Sequence, residues 1–531
     1  MIGTIYVNKQ ESSLFTKINL LNEVGIALSA EKDFPFLLEQ ILVGAKKITN
    51  ADGGTIYLLT PDKKLEMVVV QTDSLNLHLG INTDKPITFK PINLYHENEY
   101  PNLSMVVTQA VIEDRSINIA DAYNAEGYDF SGTYQFDKNT GYHSQSFLAV
   151  PMKNHENEVI GVLQLINSQS DETGDIISFD IEEQRLIESL TSQAAVAITN
   201  KQLIDCLNEL FNSLVQLIAT AIDEKSPHTS GHCKRLPQIT MMLAEAAHKT
   251  TAGELQSFEM NDADRYELEV AAWLHDCGKL TTPEFVMDKA TKLAKVVDRI
   301  ELVYLRTEVI KRDIEIEKLT AIANGENKKD IETRYHKKID CLKEICTFIR
   351  HHNKGGEFMS DEDVNKVKNW AQLEWTDNEG KKQQLLSQDE VNNLCIRKGT
   401  LTEEERDIIN NHIVATIKML DALTFPKHLQ NVPEYAGGHH ERVDGKGFPK
   451  GLAKHEMSVQ ARIMAIADVF EALTAQDRPY KDPMKLSQAI PILRKMSETG
   501  HIDPDLFEVF IKESVHINYA KEYLLPEQND L

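Results

Sequence analysis

The stretch "AGGHHERVDGKGFPKGL", residues 436–452, sets two histidines and a glutamate side by side ahead of a glycine-rich turn. Neighbouring imidazoles can hold metal ions or move protons, and glycines let the backbone turn closely around a ligand. Residues of the same chemistry recur elsewhere. In "YELEVAAWLHDCGKLTTPE" an apolar helical run, Val270 to Leu274, ends in His275 and Asp276, with Gly278 and Lys279 just behind. A helix apolar all round is buried, so an imidazole and a carboxylate at its end need partners or an ion. "VQARIMAIADVFEALTAQDRPYK" places Asp468 inside a second apolar helical pattern with no adjacent base. Arg462 lies six residues back, off its helical face, so a cation from elsewhere is required. "SPHTSGHCKR" supplies His228 and His232, four apart and on one face if helical, and "EERDIINNHIVATIKML" supplies His412 on an amphipathic helix.

Taken in order, the set H…HD…H…HH…D resembles an HD-domain phosphohydrolase, specifically the HD-GYP family. "HDCGK" is similar to that family's first signature and "HHERVDGKGFP" to its second. "IADVFEALTAQDRPYK" is similar to the helix and basic tail that follow. The resemblance implies His232, His275, Asp276, His412, His439, His440 and Asp468 as metal ligands, with Asp276 bridging two ions. In members with a third ion a glutamate stands where this chain has His228, which makes two ions the expectation and leaves His228 as a further ligand. Nitrogen and oxygen donors without thiolate favour iron or manganese over zinc. Two such ions about 3.5–4 Å apart clamp a phosphodiester and acidify a bound water.

The formal net charge is −25, which repels duplex nucleic acid and anionic membrane. An anionic substrate therefore needs local cations. The resemblance supplies Lys279, Arg478 and Lys481, and Arg442 is a further candidate; Lys446 reads as a solvated loop lysine. Asp276 and Lys279 are the expected catalytic pair. The family implies cyclic di-GMP as substrate, opened to the linear dinucleotide pGpG and on to GMP. Phe448 stands where the motif has tyrosine; it can stack on a base but lacks a hydroxyl. Cyclic GMP-AMP, another nucleotide phosphate, or a catalytically silent dinucleotide-binding signalling protein stay as alternatives.

These residues need elements to position them. At 531 residues the chain exceeds one core, and two or three domains are expected. Residues 1–185 read as an α/β domain. A helical run from Phe15 to Ala51 precedes "DGGTIYLL", "KLEMVVVQT", "SINIADAY", "SQSFLAVPMKN" and "EVIGVLQLINSQ", strand-like runs set off by polar turns. This ordering resembles a GAF domain, an antiparallel sheet with helices, which implies a pocket for a small ligand or a ligand-free dimerisation module. Ser168 follows Asn167 where cyclic-nucleotide-binding members have lysine. Residues 186–224 read as one long helix. Leu203, Leu207, Leu210, Leu214, Leu217 and Ala221 repeat at spacings of four and three, a coiled-coil seam predicting a homodimer through this linker. Residues 210–531 read as an all-α HD-GYP domain. An insertion over about 288–400 parts His275 from His412 by 137 residues. Ile300, Val303, Leu305, Val309 and Ile310 suggest its helical hairpin, with "NGENKKD" as the tip and His351 and His352 as a polar surface pair. Six scattered cysteines without a CxxC pair suggest reduced thiols. No apolar run suits a bilayer and no cleavable signal opens the chain, so the expected location is cytoplasmic.

Overall fold

The computed structural model describes the chain except residues 1, 32, 81, 82, 84, 86, 226–230 and 477–482, and side chains from residue 14 onward. It divides into two units, Met1–Leu210 and Phe211–Leu531.

In the first unit an antiparallel sheet runs in the order β3-β2-β1-β7-β6-β5. The strands are β1 (Ala51–Leu59), β2 (Lys64–Thr72), β3 (Leu77–Gly80), β4 (Ile92–Asn93), β5 (Ile117–Ile119), β6 (Phe147–Lys153), β7 (Val159–Gln169) and β8 (Ile176–Ile177). The short β4 pairs with β2, and β8 with β7. Alternation along each strand splits the side chains between two layers. Leu148, Val150 and Met152 of β6 join a core with the helices Ile2–Ala30 and Phe34–Thr49 and with Ile187–Ile198 of the long helix. Phe147 and Ala149 face the opposite layer, beside Val106, Ala110 and Phe130. A cavity of about 480 Å³ opens in that second layer, lined by Met67, Leu77, Met105, Phe130, Tyr142 and Gln164 among others.

Two expectations from the sequence are refined. The run from Phe15 to Ala51 is two helices, because the Asp33 side chain accepts a hydrogen bond from the Phe36 amide and starts a new helix. Of "SINIADAY" only three residues pair as β5, since Asp121 turns the chain by accepting from the Tyr123 amide.

The long helix runs from Ile181 to Lys225. Its first turns lie in the sheet unit's core, and Val215, Ala219 and Ile222 lie in the core of the second unit. Leu203, Leu207, Leu210, Leu214 and Leu217 are 48–62% exposed, an apolar seam left open among the described residues.

The second unit is helical. Helices His232–His248, Asp262–Leu274, Val432–Gly437, Val459–Thr474 and those after Leu486 share one core. The insertion has its own core: Ile300–Ala323 and Lys328–Asn353 form the expected hairpin and pack on the helices Asp361–Ala371 and Gln388–Leu394. Leu305 departs from expectation by pointing outward at 64% exposure, while Val303, Ile310 and Ile314 face the partner helix. A small β-hairpin, Glu374–Thr376 with Lys382–Gln384, was not legible in the sequence. The insertion's two ends are stitched together. The Thr400 hydroxyl donates to the Lys289 carbonyl at 2.8 Å, and the buried Lys292 ammonium donates to the carbonyls of Leu394 and Ile396 at 3.0 and 2.6 Å.

Candidate metal centre

His275 ends the helix Asp262–Leu274, and the chain then tightens into a short turn, Cys277–Thr281. Gly278 makes this turn fit: a Cβ there would lie 1.9 Å from the His412 carbonyl oxygen. The turn thus presses on the start of helix His412–Asp421, and the Gly278 amide donates to the Thr416 hydroxyl at 2.9 Å. From outside, the Lys225 ammonium at the end of the long helix donates to the carbonyls of Lys279, Leu280 and Thr282. Beyond the paired histidines, the buried Glu441 carboxylate accepts the amides of Lys450 and Leu452 at 2.6 and 2.9 Å. It therefore closes the glycine-rich loop. Gly447 packs so tightly there that a Cβ would meet the backbone of Glu441 and Arg442 at 2.3–2.6 Å.

Six of the expected ligands come together as two groups, His232–His275–Asp276 and His412–His439–His440. Their orientation follows from the outer nitrogens. Nδ1 of His275, His412 and His439 lies 2.8, 2.5 and 2.6 Å from the carbonyls of Ala272, Ile409 and Ala436. A carbonyl only accepts, so these nitrogens carry the protons and the Nε2 lone pairs point inward. Nε2 of His232 lies 3.1 Å from that of His275, and Nε2 of His412 lies 3.2 Å from that of His440. Asp276 sits between the groups with Oδ2 3.0 Å from His275 Nε2 and Oδ1 3.2 Å from His412 Nε2. Its Oδ1 is buried and accepts no hydrogen bond among the described residues, as expected where the neighbouring nitrogen offers a lone pair. Converging lone pairs around an orphaned carboxylate oxygen fit divalent cations, and the donors are nitrogen and oxygen only.

Asp468 completes the ring, its Oδ1 3.4 Å from His232 Nε2. Arg462 is committed elsewhere, to Asp503, which removes it as a partner for Asp468. Burial would raise the Asp468 pKa, yet the hydrogen bond from His232 and the charge of that imidazole pull it far below the carboxylate range. Burial and the neighbouring His440 and His275 hold His439 well below the usual histidine value, so it is neutral and ready to donate its lone pair. Lys279 forms an ion pair with Asp276 Oδ2. Phe448 is 40% exposed beside the centre, its amide donating to the His440 carbonyl at 3.2 Å. The Arg442 guanidinium makes two hydrogen bonds to Asp444, at 3.0 and 2.7 Å. His228, Arg478 and Lys481 lie outside the described residues. His351 contacts Glu357 on the insertion, consistent with a surface pair.

Sequence reasoning passed over Glu471, Arg235 and Lys225, and noted Glu441 beside the histidines without seeing that it closes the loop. Spacing could have flagged the first two: Glu471 follows Asp468 by three residues and Arg235 follows His232 by three, each on its ligand's helical face.

Residues 34–198 match the GAF domain family, and residues 388–506 match an HD domain family. The second match takes in His412, His439, His440 and Asp468, while His232, His275 and Asp276 precede the insertion and fall outside it. Among curated proteins the chain is similar to a 3'3'-cGAMP-specific phosphodiesterase of Vibrio cholerae, 39% identical over 22% of this chain and 26% of that protein. It is also similar to cyclic di-GMP phosphodiesterases of Pseudomonas aeruginosa and Thermotoga maritima. These are 38% and 35% identical, each over 22% of this chain and over 27% and 32% of the relative. The chain thus spans about a third or less of the length of the relatives it matches.

Proposed function

We propose that this chain, a GAF domain followed by an HD domain, is a two-metal phosphodiesterase that hydrolyses a cyclic dinucleotide under control of its GAF domain. The observation that carries the reading is the pair of inward-facing ligand groups joined by Asp276. The relatives' names supply the substrate class, cyclic di-GMP or 3'3'-cGAMP. Bound at these groups, two divalent ions, iron or manganese from the donor set, would polarise the phosphoryl oxygens and lower the pKa of a water.

The protein's own residues do the rest. Asp276 holds both halves in register through its two oxygens. Lys279 adds a positive charge on the Asp276 side, where burial lowers its pKa but Asp276 more than compensates and keeps it protonated. That charge offsets the phosphate's against an overall −25. Phe448 offers an exposed ring for base stacking. Arg442 acts through Asp444 to hold the loop, with Arg478 and Lys481 as the substrate cations and His228 as an additional ligand.

The linker seam is the proposed homodimer contact, because five exposed leucines at heptad spacing bury their apolar surface only against a second helix. The cavity of the GAF domain suits a small, largely apolar ligand. Among the described residues lining it, Asp129 alone is charged, and none is a cation that would neutralise a nucleotide phosphate. Asn167 is spent on the fold, accepting the amides of Gln145 and Ser146.

The test is anaerobic turnover of cyclic di-GMP and 3'3'-cGAMP by protein loaded with iron or manganese, with metal counted on the same sample and Asp276→Ala as control. Hydrolysis with two ions per chain, both lost in the control, is expected. Metal without turnover of either compound would favour the silent signalling protein.

A further inference from the structure

His275, His412 and His439 rest their outer nitrogens on backbone carbonyls, but His232 rests its Nδ1 on a carboxylate, Oε2 of Glu471. Glu471 is buried at 1% exposure. Its other oxygen, Oε1, accepts both Nε of Arg235 at 2.8 Å and a terminal amino group of Arg235 at 2.7 Å. His232 and Arg235 share a face of one helix, and Asp468 and Glu471 share a face of the helix packed against it. Ligands and their supports therefore meet as two layers across one helix–helix contact. A buried carboxylate is costly unless paired, and apolar packing of two helices does not call for one. An ionised acceptor on Nδ1–H also raises the basicity of Nε2 and fixes the ring more firmly than a carbonyl does.

We propose that Glu471, held in place by Arg235, is a positioning residue that orients His232 and strengthens it as a donor, so that it governs the ion at the His232–His275–Asp276 group and not the ion at the other. The inference rests on the two-ion reading above. It divides the centre into halves of different support: one braced by a charged relay behind His232, the other by the backbone carbonyls behind His412 and His439.

The experiment is a calorimetric titration of the ion-free full chain with Mn²⁺, alongside bound-metal counts and melting curves, for wild type, Glu471→Ala and Glu471→Gln. Wild type should take up two ions. Glu471→Ala should lose about 10–100-fold in affinity at one ion and keep the other. Glu471→Gln, which retains an acceptor oxygen without the charge, should fall between them. A lowered melting temperature with wild-type affinity at both ions, in either variant, would make Glu471 merely structural and overturn the inference. Should the alanine variant fail to fold, the isosteric glutamine variant decides by the same criterion. Wild type that binds no Mn²⁺ would overturn the two-ion reading itself, and the inference with it.

Discussion

His232 faces Glu471, Asp276 and Asp468. Burial lowers its pKa, but these carboxylates outweigh burial and hold it well above the usual histidine value. A proton on His232 then supplies positive charge where an ion would stand. Metal must displace that proton, so apparent affinity should rise about tenfold per pH unit at all pH below the raised pKa and level off above it. The folding linkage runs the opposite way without metal. The raised pKa contributes stability in full below about 6.5, and this is lost as pH climbs through the folded value. Titrations with Mn²⁺ at pH 6, 7 and 8, paired with ion-free melts, check both signs; a flat affinity would refute the first. At this scale the candidate ligands stood out because His275, Asp276 and Asp468 interrupt apolar helices, where polar groups are expensive. Glu471 did not, since a glutamate on a helix reads as solvated until the facing helix is known.

Turns and helix ends decide whether those ligands meet. Gly278→Ala would drive a methyl group into the His412 carbonyl, whose helix begins the second ligand group. The expected cost is about 3 kcal/mol, at the upper end for overpacking, with weakened binding of both ions; urea unfolding and metal counts measure it. Lys225→Met removes three hydrogen bonds from the turn that carries Asp276 and Lys279. A loss of roughly 2 kcal/mol is expected, with metal retained and turnover reduced several-fold, because the ligands themselves stay anchored. Steady-state kinetics on metal-counted protein would show it. The helical hairpin of the insertion and its tip were readable from periodicity, and so was the long helix. The break at Asp33 and the outward-facing Leu305 were not. A cap is a local hydrogen bond that hydrophobic spacing does not register, and a helix with apolar residues on more than one face leaves its buried side open.

Across the whole molecule, metal held at the candidate centre should couple to folding unevenly. All three tryptophans, Trp273, Trp370 and Trp375, lie after residue 210, so their fluorescence reports on the second unit alone, while helical circular dichroism reports on both. Chelation should lower the fluorescence-detected melting temperature by several degrees, since an ion at a hundredfold excess over its Kd contributes about 2.7 kcal/mol. The part of the dichroism transition that belongs to the GAF domain should not move. Equal shifts in both signals would mean that the ions support more than their own unit. The division into sheet and helical parts was plain in the sequence, from strand-like alternation on one side of the long helix and its absence on the other. The way the insertion closes on itself was not, because contacts such as Thr400 with Lys289 join residues 111 positions apart. That closure bears on descent. A segment that leaves and returns at one spot adds to the closure entropy only as the logarithm of its length. Lineages could therefore lengthen, trim or exchange this hairpin as a cassette while the seven candidate ligands around it stay under one unbroken selection.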